Sequence, residues 1–387
     1  MCKGWYSVAI TLLWQHVKLR HEGQIESIAQ FASRPPLFGS SYGSEQHLGS
    51  FIKRLDFEPS EPGFHWAPYG THTSSDEIPP TLRLCKQATN LRFLNIGAHT
   101  SLDCTTLNIY DSFPPTLEHL YVLNEQPRET DFLSLSQFVQ FMDSHPQLSF
   151  FGPPGIHDES TSSKDTEIDW TGKSWSNLKE LVFDPRITFS QMDRVGRLIP
   201  SGAFPNLERL SFNELPESNN CFTRFLHAHG KGLKALHMVI YDHHDEQRDM
   251  QDLLRAIPSL CPKLEELSFL MIQAPLDGNT VDWISEPLFP RVTTLGLRFK
   301  PWDLDMLEEQ WQFFLNSIIE WLAMVPNVRT LRFYSEDNLE WLEGPDAKEQ
   351  FEAFLEDCQD LKVSVEDNYG NPVEPYAGSE DEYASDT

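Results

Sequence analysis

Nine short apolar units recur along the chain, and their spacing constrains the fold more than any other feature of the sequence. The clearest runs from Phe204 through Pro205, Leu207 and Leu210 to Phe212. The same pattern returns as Leu264/Leu267/Phe269 after Cys261-Pro262, as Val292/Leu295/Leu297 after Phe289-Pro290, and as Val328/Leu331/Phe333 after Val325-Pro326. Leu117/Leu120/Val122 keeps its proline at Pro115. Ile52/Leu55/Phe57, Leu91/Leu94/Ile96, Leu178/Leu181/Phe183 and Leu233/Leu236/Met238 keep the apolar positions alone. The central leucines fall at 55, 94, 120, 181, 210, 236, 267, 295 and 331. Leu148–Phe151, read as a decayed copy, divides the one long interval. Periods of this size mark arrays of stacked supersecondary units.

The physics of one unit is direct. Leu210 and Phe212 are two residues apart, so on a strand both point into one core. Leu207 enters that core from the turn ahead of the strand, and proline suits the approach to a strand better than its middle. About 20 residues between strands hold a helix and two turns, and strands joined by helical crossovers pair in parallel. The unit resembles the leucine-rich repeat over roughly residues 50–366, with one departure: the slot usually given to asparagine holds Leu215 and Ile272. The resemblance implies an α/β leucine-rich-repeat solenoid, a horseshoe with a parallel sheet on its concave side and helices on its convex side.

Composition narrows the partners. A net charge of −28 opposes nucleic acid, whose phosphates need concentrated Lys and Arg, and opposes anionic membranes. No apolar run has the length of a membrane span. The six cysteines have no disulfide or metal spacing and no glycosylation sequon occurs, which suits free core thiols in the cytoplasm or nucleus.

Residues 1–20 form a separate N-terminal piece. As a signal peptide the stretch lacks a small-residue cleavage site. Cys2, Lys3, Trp5, Ala9, Leu13, Trp14, Val17 and Leu19 match the last third of an F-box in type and spacing. The chain thus resembles the F-box/leucine-rich-repeat family, in which the F-box docks on the Skp adaptor of a cullin-RING ubiquitin ligase and the repeats hold the substrate. The resemblance implies an interaction protein, the substrate-recognition part of a receptor and not an enzyme, with Trp5, Leu13 and Trp14 as an adaptor-docking remnant. The first two F-box helices would lie ahead of Met1, so weak adaptor binding is expected. A leucine-rich-repeat scaffold with no ubiquitin link is the alternative.

Residues 21–366 carry the repeats, with loop insertions at about 58–81 and 152–173, the second too polar to order itself. Asp346 and Glu349 are placed to cap the last helix, Leu361–Val365 reads as an edge strand, and residues 367–387 read as a disordered acidic tail. Gly39–Gly43 matches G-x-S-x-G without the strand and helix that motif needs, and reads as a turn. His227 and His229 read as residues of a helix C-terminus. Tyr241–Glu246 is the densest group of ligand-type side chains, but no second half-site comes after it and it reads as a solvated loop. No metal, cofactor or catalytic residue is expected. The outward strand positions are the expected partner-binding surface: Arg209, His237, Arg298, Arg332 and Tyr334, with the last three gathered as an anchor for a carboxylate or phosphate or, alternatively, paired with Glu266 or Glu336 as ordinary surface charge.

Overall fold

A computed structural model describes residue 9 and residues 11–35, 47–58, 80–97, 112–122, 133–153, 156–157, 169–183, 199–212, 219–240, 247–271, 289–299, 308–344 and 347–373. The fold is α/β. Among the described residues twelve strands lie in chain order in an open, parallel sheet, and a separate pair forms a second, two-stranded sheet. The chain divides into two compact units, Met1–Leu210 and Ser211–Thr387.

In the first unit β1 (His16–Leu19) returns through α1 (Glu22–Ala32) to pair in parallel with β2 (Arg54–Phe57). Helix α2 (Pro80–Gln87) precedes β3 (Phe93–Ile96), and β4 (His119–Val122) pairs next in register. Then come β5 (Leu133–Ser134), α3 (Leu135–Ser144), β6 (Phe150–Gly152), β7 (Ile156–His157) and β8 (Glu180–Phe183). Strand β6 lies between β4 and β8, while β5 pairs with β7 in the small sheet. One buried row therefore runs Val17, Leu55, Leu94, Leu120, Phe151 and Leu181, each in register with the next. Phe138 and Phe141 of α3 stack on Phe151, which puts the helix on the apolar side of the sheet.

Strand β9 (Arg209–Phe212) straddles the division between the units. The second unit continues with α4 (Asn219–His229), β10 (Ala235–Ile240), α5 (Gln247–Leu260), β11 (Glu266–Met271) and β12 (Thr294–Phe299). It ends with α6 (Glu308–Met324), β13 (Thr330–Phe333), α7 (Glu336–Leu342), α8 (Lys348–Asp360) and β14 (Ser364–Glu366). Leu236, Leu267, Leu295, Leu331 and Val365 form its buried row. Phe269 meets Trp321, Phe299 meets Phe314, and Phe333 meets Phe351, so α6 and α8 cover the same side.

The turns ahead of the strands are tied by a recurring hydrogen bond. The residue just before the first apolar position donates its side chain to a backbone carbonyl two residues before the same position of the preceding unit. Asn90 Nδ2 reaches Ser50 O, Asn177 reaches Pro146 O and Asn206 reaches Ser176 O, each at 2.8 Å. In the second unit Asn327 Nδ2 reaches Pro290 O at 2.7 Å. Thr116 Oγ1 occupies the equivalent position and donates to Leu91 O at 2.9 Å.

Four expectations need correction. The sheet begins at His16, ahead of residue 50 where the leucine-rich-repeat resemblance starts, because Val17 and Leu19 match Leu55 and Phe57 in register and burial. The polar insertion at 152–173 is not uniformly unable to order: Ile156 is fully buried and β7 pairs with β5. Helix α8 starts from Ala347 without a side-chain cap, and Asp346 lies outside the described residues. Residues 367–373, grouped with the tail on composition, form a turn closed on Asp367, and Val373 N–H donates to Val365 O at 2.8 Å. Most of the 58–81 insertion and residues 374–387 lie outside the described residues.

Leu210 is fully buried. Leu210→Ala is expected to cost about 2–5 kcal/mol in urea unfolding, as a leucine deleted from a packed core. A change under about 1 kcal/mol would remove Leu210 from the core.

Candidate partner-binding face

Strand alternation fixes which side chains leave the helix-covered side. In the second unit one outward row runs Glu266, Thr294, Thr330 and Ser364, and the next runs His237, Ser268, Gly296, Arg332 and Glu366. Arg298 lies two residues beyond Gly296 on β12, and Tyr334 N–H donates to Leu297 O at 2.8 Å, placing Tyr334 beside it on the next strand. Arg298, Arg332 and Tyr334 are thus neighbours on β12 and just past β13.

Two of the three are held by acids of their own face. Arg332 directs Nε at 3.0 Å and Nη2 at 2.6 Å to Glu366 Oε2. Tyr334 leans back across β12 and donates its hydroxyl to Glu266. The lean requires Gly296, because a Cβ there would lie 2.2 Å from Tyr334 Cε2. Burial, with the Glu266 bond and charge adding to it, pushes the Tyr334 phenol up to about 12. His237 closes the group edge-on to the Tyr334 ring, 5.5 Å between centroids, with Nε2 3.5 Å from Glu266 Oε1. Of the two readings of this cluster, pairing with Glu266 describes Tyr334, while Arg332 takes Glu366 and not Glu336, because Glu366 lies opposite it in register on the next strand. Arg298 is exposed and makes no ion pair with any described residue.

Arg209 is exposed on β9. Of the expected adaptor-docking residues, Leu13 is 73% exposed and Trp14 half-buried in the helical turn ahead of β1, while Trp5 lies outside the described residues. The Gly39–Gly43 and Tyr241–Glu246 stretches lie outside them too. His229 is buried against the Phe225 ring. Cys85, Cys261 and Cys358 are buried, and desolvation pushes each thiol up to about 12, which leaves them inert at neutral pH.

The first unit carries a polar network that the sequence did not reveal. Asp56 points to the outward face yet is 1% exposed. His16 Nε2 lies 2.5 Å from Asp56 Oδ2, Arg54 Nε 2.9 Å from the same oxygen, and Asn95 Nδ2 2.7 Å from Oδ1. Burial alone would raise the Asp56 carboxyl; the bonds from Arg54 and His16, the Arg54 charge and the Asn95 bond outweigh it and hold it below the usual carboxylate value. Asn95 thereby turns Oδ1 to His119 Nε2, 3.0 Å away, so this imidazole nitrogen donates. The His119 ring stacks on Phe150 with centroids 4.0 Å apart. Burial, then the Arg54 charge, pushes His119 down to about 4 against the pull of Asp56. Tyr121 lies over Gly152, where a Cβ would come within 2.5 Å of the ring. Arg54, Asp56, Asn95 and His119 lie on three neighbouring strands, so the signal was a column across strands and not a motif along the chain.

A cleft of about 450 Å³ opens at the leading ends of these strands and includes Lys53, Asn90, Arg92, Thr116 and Glu118 in its lining. Arg92 forks onto Glu118 at 2.7 and 2.6 Å within it.

No family model matches the chain, and neither does any curated protein. Among solved structures it is similar to a crystal structure of a Bacteroides fragilis protein, with 12% identity, a TM-score of 0.31, and 85% of this chain and 69% of that one covered. The likeness is too slight to bear on fold or function.

These networks make two measurable differences. His119 titrates at about 4 folded and near 6.5 unfolded, so its contribution is full above pH 6.5 and fades as pH falls from 6.5 to 4. Because the ring is partly solvated, the loss should be about 1–2 kcal/mol. His119→Gln should flatten that part of the stability–pH curve, and an unchanged slope would contradict the assignment. Gly296→Ala should displace Tyr334 from Glu266, so that ultraviolet difference titration shows one phenol moving from about 12 toward the ordinary value near 10. A titration identical to wild type would mean the ring does not cover Gly296.

Proposed function

We propose that this chain is a leucine-rich-repeat solenoid that works by binding, not catalysis, and that the outward face of its second unit holds an acidic or phosphorylated segment of a partner protein. The repeated turn tie at Asn90, Asn177, Asn206 and Asn327 supports the repeat reading. One observation carries the binding reading: Arg298 is an exposed cation with no ion pair among the described residues of a chain of net charge −28, beside arginine and tyrosine side chains that glutamates already hold. A guanidinium in that position offers forked donors to a carboxylate or phosphate. The arrangement suits the substrate-recognition part of an F-box-type ubiquitin-ligase receptor, with the exposed Leu12 and Leu13 available to a Skp adaptor. Co-purification with that adaptor, lost in Leu13→Asp, supports the ubiquitin link; no co-purification leaves a scaffold.

The binding reading is tested by Arg298→Glu in the full chain, assayed on an array of acidic and phosphorylated peptides. Loss of one charge-assisted contact should weaken the best binders by about tenfold or more. The melting temperature should stay within a few degrees, because an exposed strand position contributes little to the core. Arg332→Glu is the poorer test, since it sets a second carboxylate against Glu366. An unchanged peptide profile in Arg298→Glu would place the site elsewhere.

A further inference from the structure

After β14 the chain turns over Arg332 and runs back along the outer edge of the strand. Asp367 Oδ1 accepts from the Tyr369 and Asn371 N–H groups at 2.9 and 2.7 Å, while Oδ2 takes the Asn371 amide at 2.8 Å. This turn lays Gly370 on Arg332: a Cβ there would meet Arg332 Nη2 at 3.5 Å and Glu366 Oε2 at 3.8 Å. Glu366 and Pro372 form an antiparallel bridge, and Val373 N–H donates to Val365 O at 2.8 Å. The described chain therefore ends along the outer edge of β14, beside the Arg332–Glu366 pair. The remaining segment, residues 374–387, carries Glu374, Glu380, Asp381, Glu382 and Asp386 and no Lys or Arg.

We infer that the acidic segment 374–387 docks on the Arg298 face of its own chain and competes there with the partner's acidic segment. The inference rests on the proposed reading of that face as an acidic-segment site. Three arguments select this occupant. The charges are opposite, and Arg298 is the cation of the cluster left without an ion pair among the described residues. The reach is ample: β12 is two strands from β14, about 10 Å, while fourteen extended residues span on the order of 45 Å. The tether also holds the segment at an effective concentration on the order of millimolar, so even a weak contact is populated.

The test uses full-length chains and one probe, a labelled synthetic peptide of residues 374–387. Wild type is compared with a variant carrying Glu374→Gln, Glu380→Gln, Asp381→Asn, Glu382→Gln and Asp386→Asn, and each is combined with Arg298→Glu. All five changes lie outside the described residues, and thermal melts check that the fold is unaltered. The neutralised chain should bind the peptide at least about tenfold more tightly than wild type. Arg298→Glu should abolish that gain, and added salt should erode it as the Debye length shrinks. Equal, Arg298-dependent binding to both chains would overturn the internal contact while leaving the face as an acidic-segment site. No binding to either chain, or binding indifferent to Arg298→Glu, would overturn both.

Discussion

Register between neighbouring strands is the constraint on which the rest of this structure depends. Leu55 opposite Leu94 opposite Leu120, and Leu267 opposite Leu295 opposite Leu331, bury one side chain per strand on the same side. A slip of one residue would turn each apolar pair out to solvent. Fully burying a leucine or phenylalanine stabilises by about 1.5–3 kcal/mol, so slipping a single strand is prohibitive. The asparagine ties act at the other end of the problem. They satisfy turn carbonyls that no strand reaches and set the height at which each strand enters its row.

That register also decides what the outward face has to offer. Cations and acids placed on adjacent strands meet whether or not a partner is present. Arg332 finds Glu366, and Tyr334 spans β12 to find Glu266 because Gly296 leaves it room. In the first unit Asp56 collects donors from β1, β2 and β3, becoming a buried charge that organises its neighbours. Such groups are already engaged, so the exposed cation is the better guide to recognition. By that criterion Arg298 stands apart from the other charged residues named on its face.

Much of the fold was legible because the leucine pattern is strict: every strand assigned to a central leucine is a strand, and Phe150–Gly152 supplies the one that broke the spacing. What escaped did so for identifiable reasons. That the strand-like Val17–Leu19 stretch belongs to the large sheet, and not only to the N-terminal piece, was hidden because it stands apart from any proline-led turn. Helix α7 is short and acidic, and its Asn338 looks like a surface residue. Yet Asn338 is fully buried, bonding both the N–H and the carbonyl of Phe299 as a strand would. The turn asparagines sit one residue ahead of the repeat's first apolar position, a slot filled by lysine at Lys263 and arginine at Arg291, which masks it. The expected cluster at Arg298, Arg332 and Tyr334 was placed correctly on the strands. Pairing with Glu266 was foreseen as the alternative, but the acid that takes Arg332 was not, since contacts across strands depend on side-chain reach.

An array held together by neighbour-to-neighbour contacts loses one unit without losing the rest. Excising residues 237–267 joins Leu236 to Ser268 and removes one strand, one helix and one turn while keeping the order of the others. Denaturant unfolding of the shortened chain measures the claim directly. A soluble chain with one cooperative transition and an m-value lowered in proportion to the surface removed is the expected result. A chain that fails to fold, or unfolds without cooperativity, would show that these units are parts of an indivisible domain and not repeats.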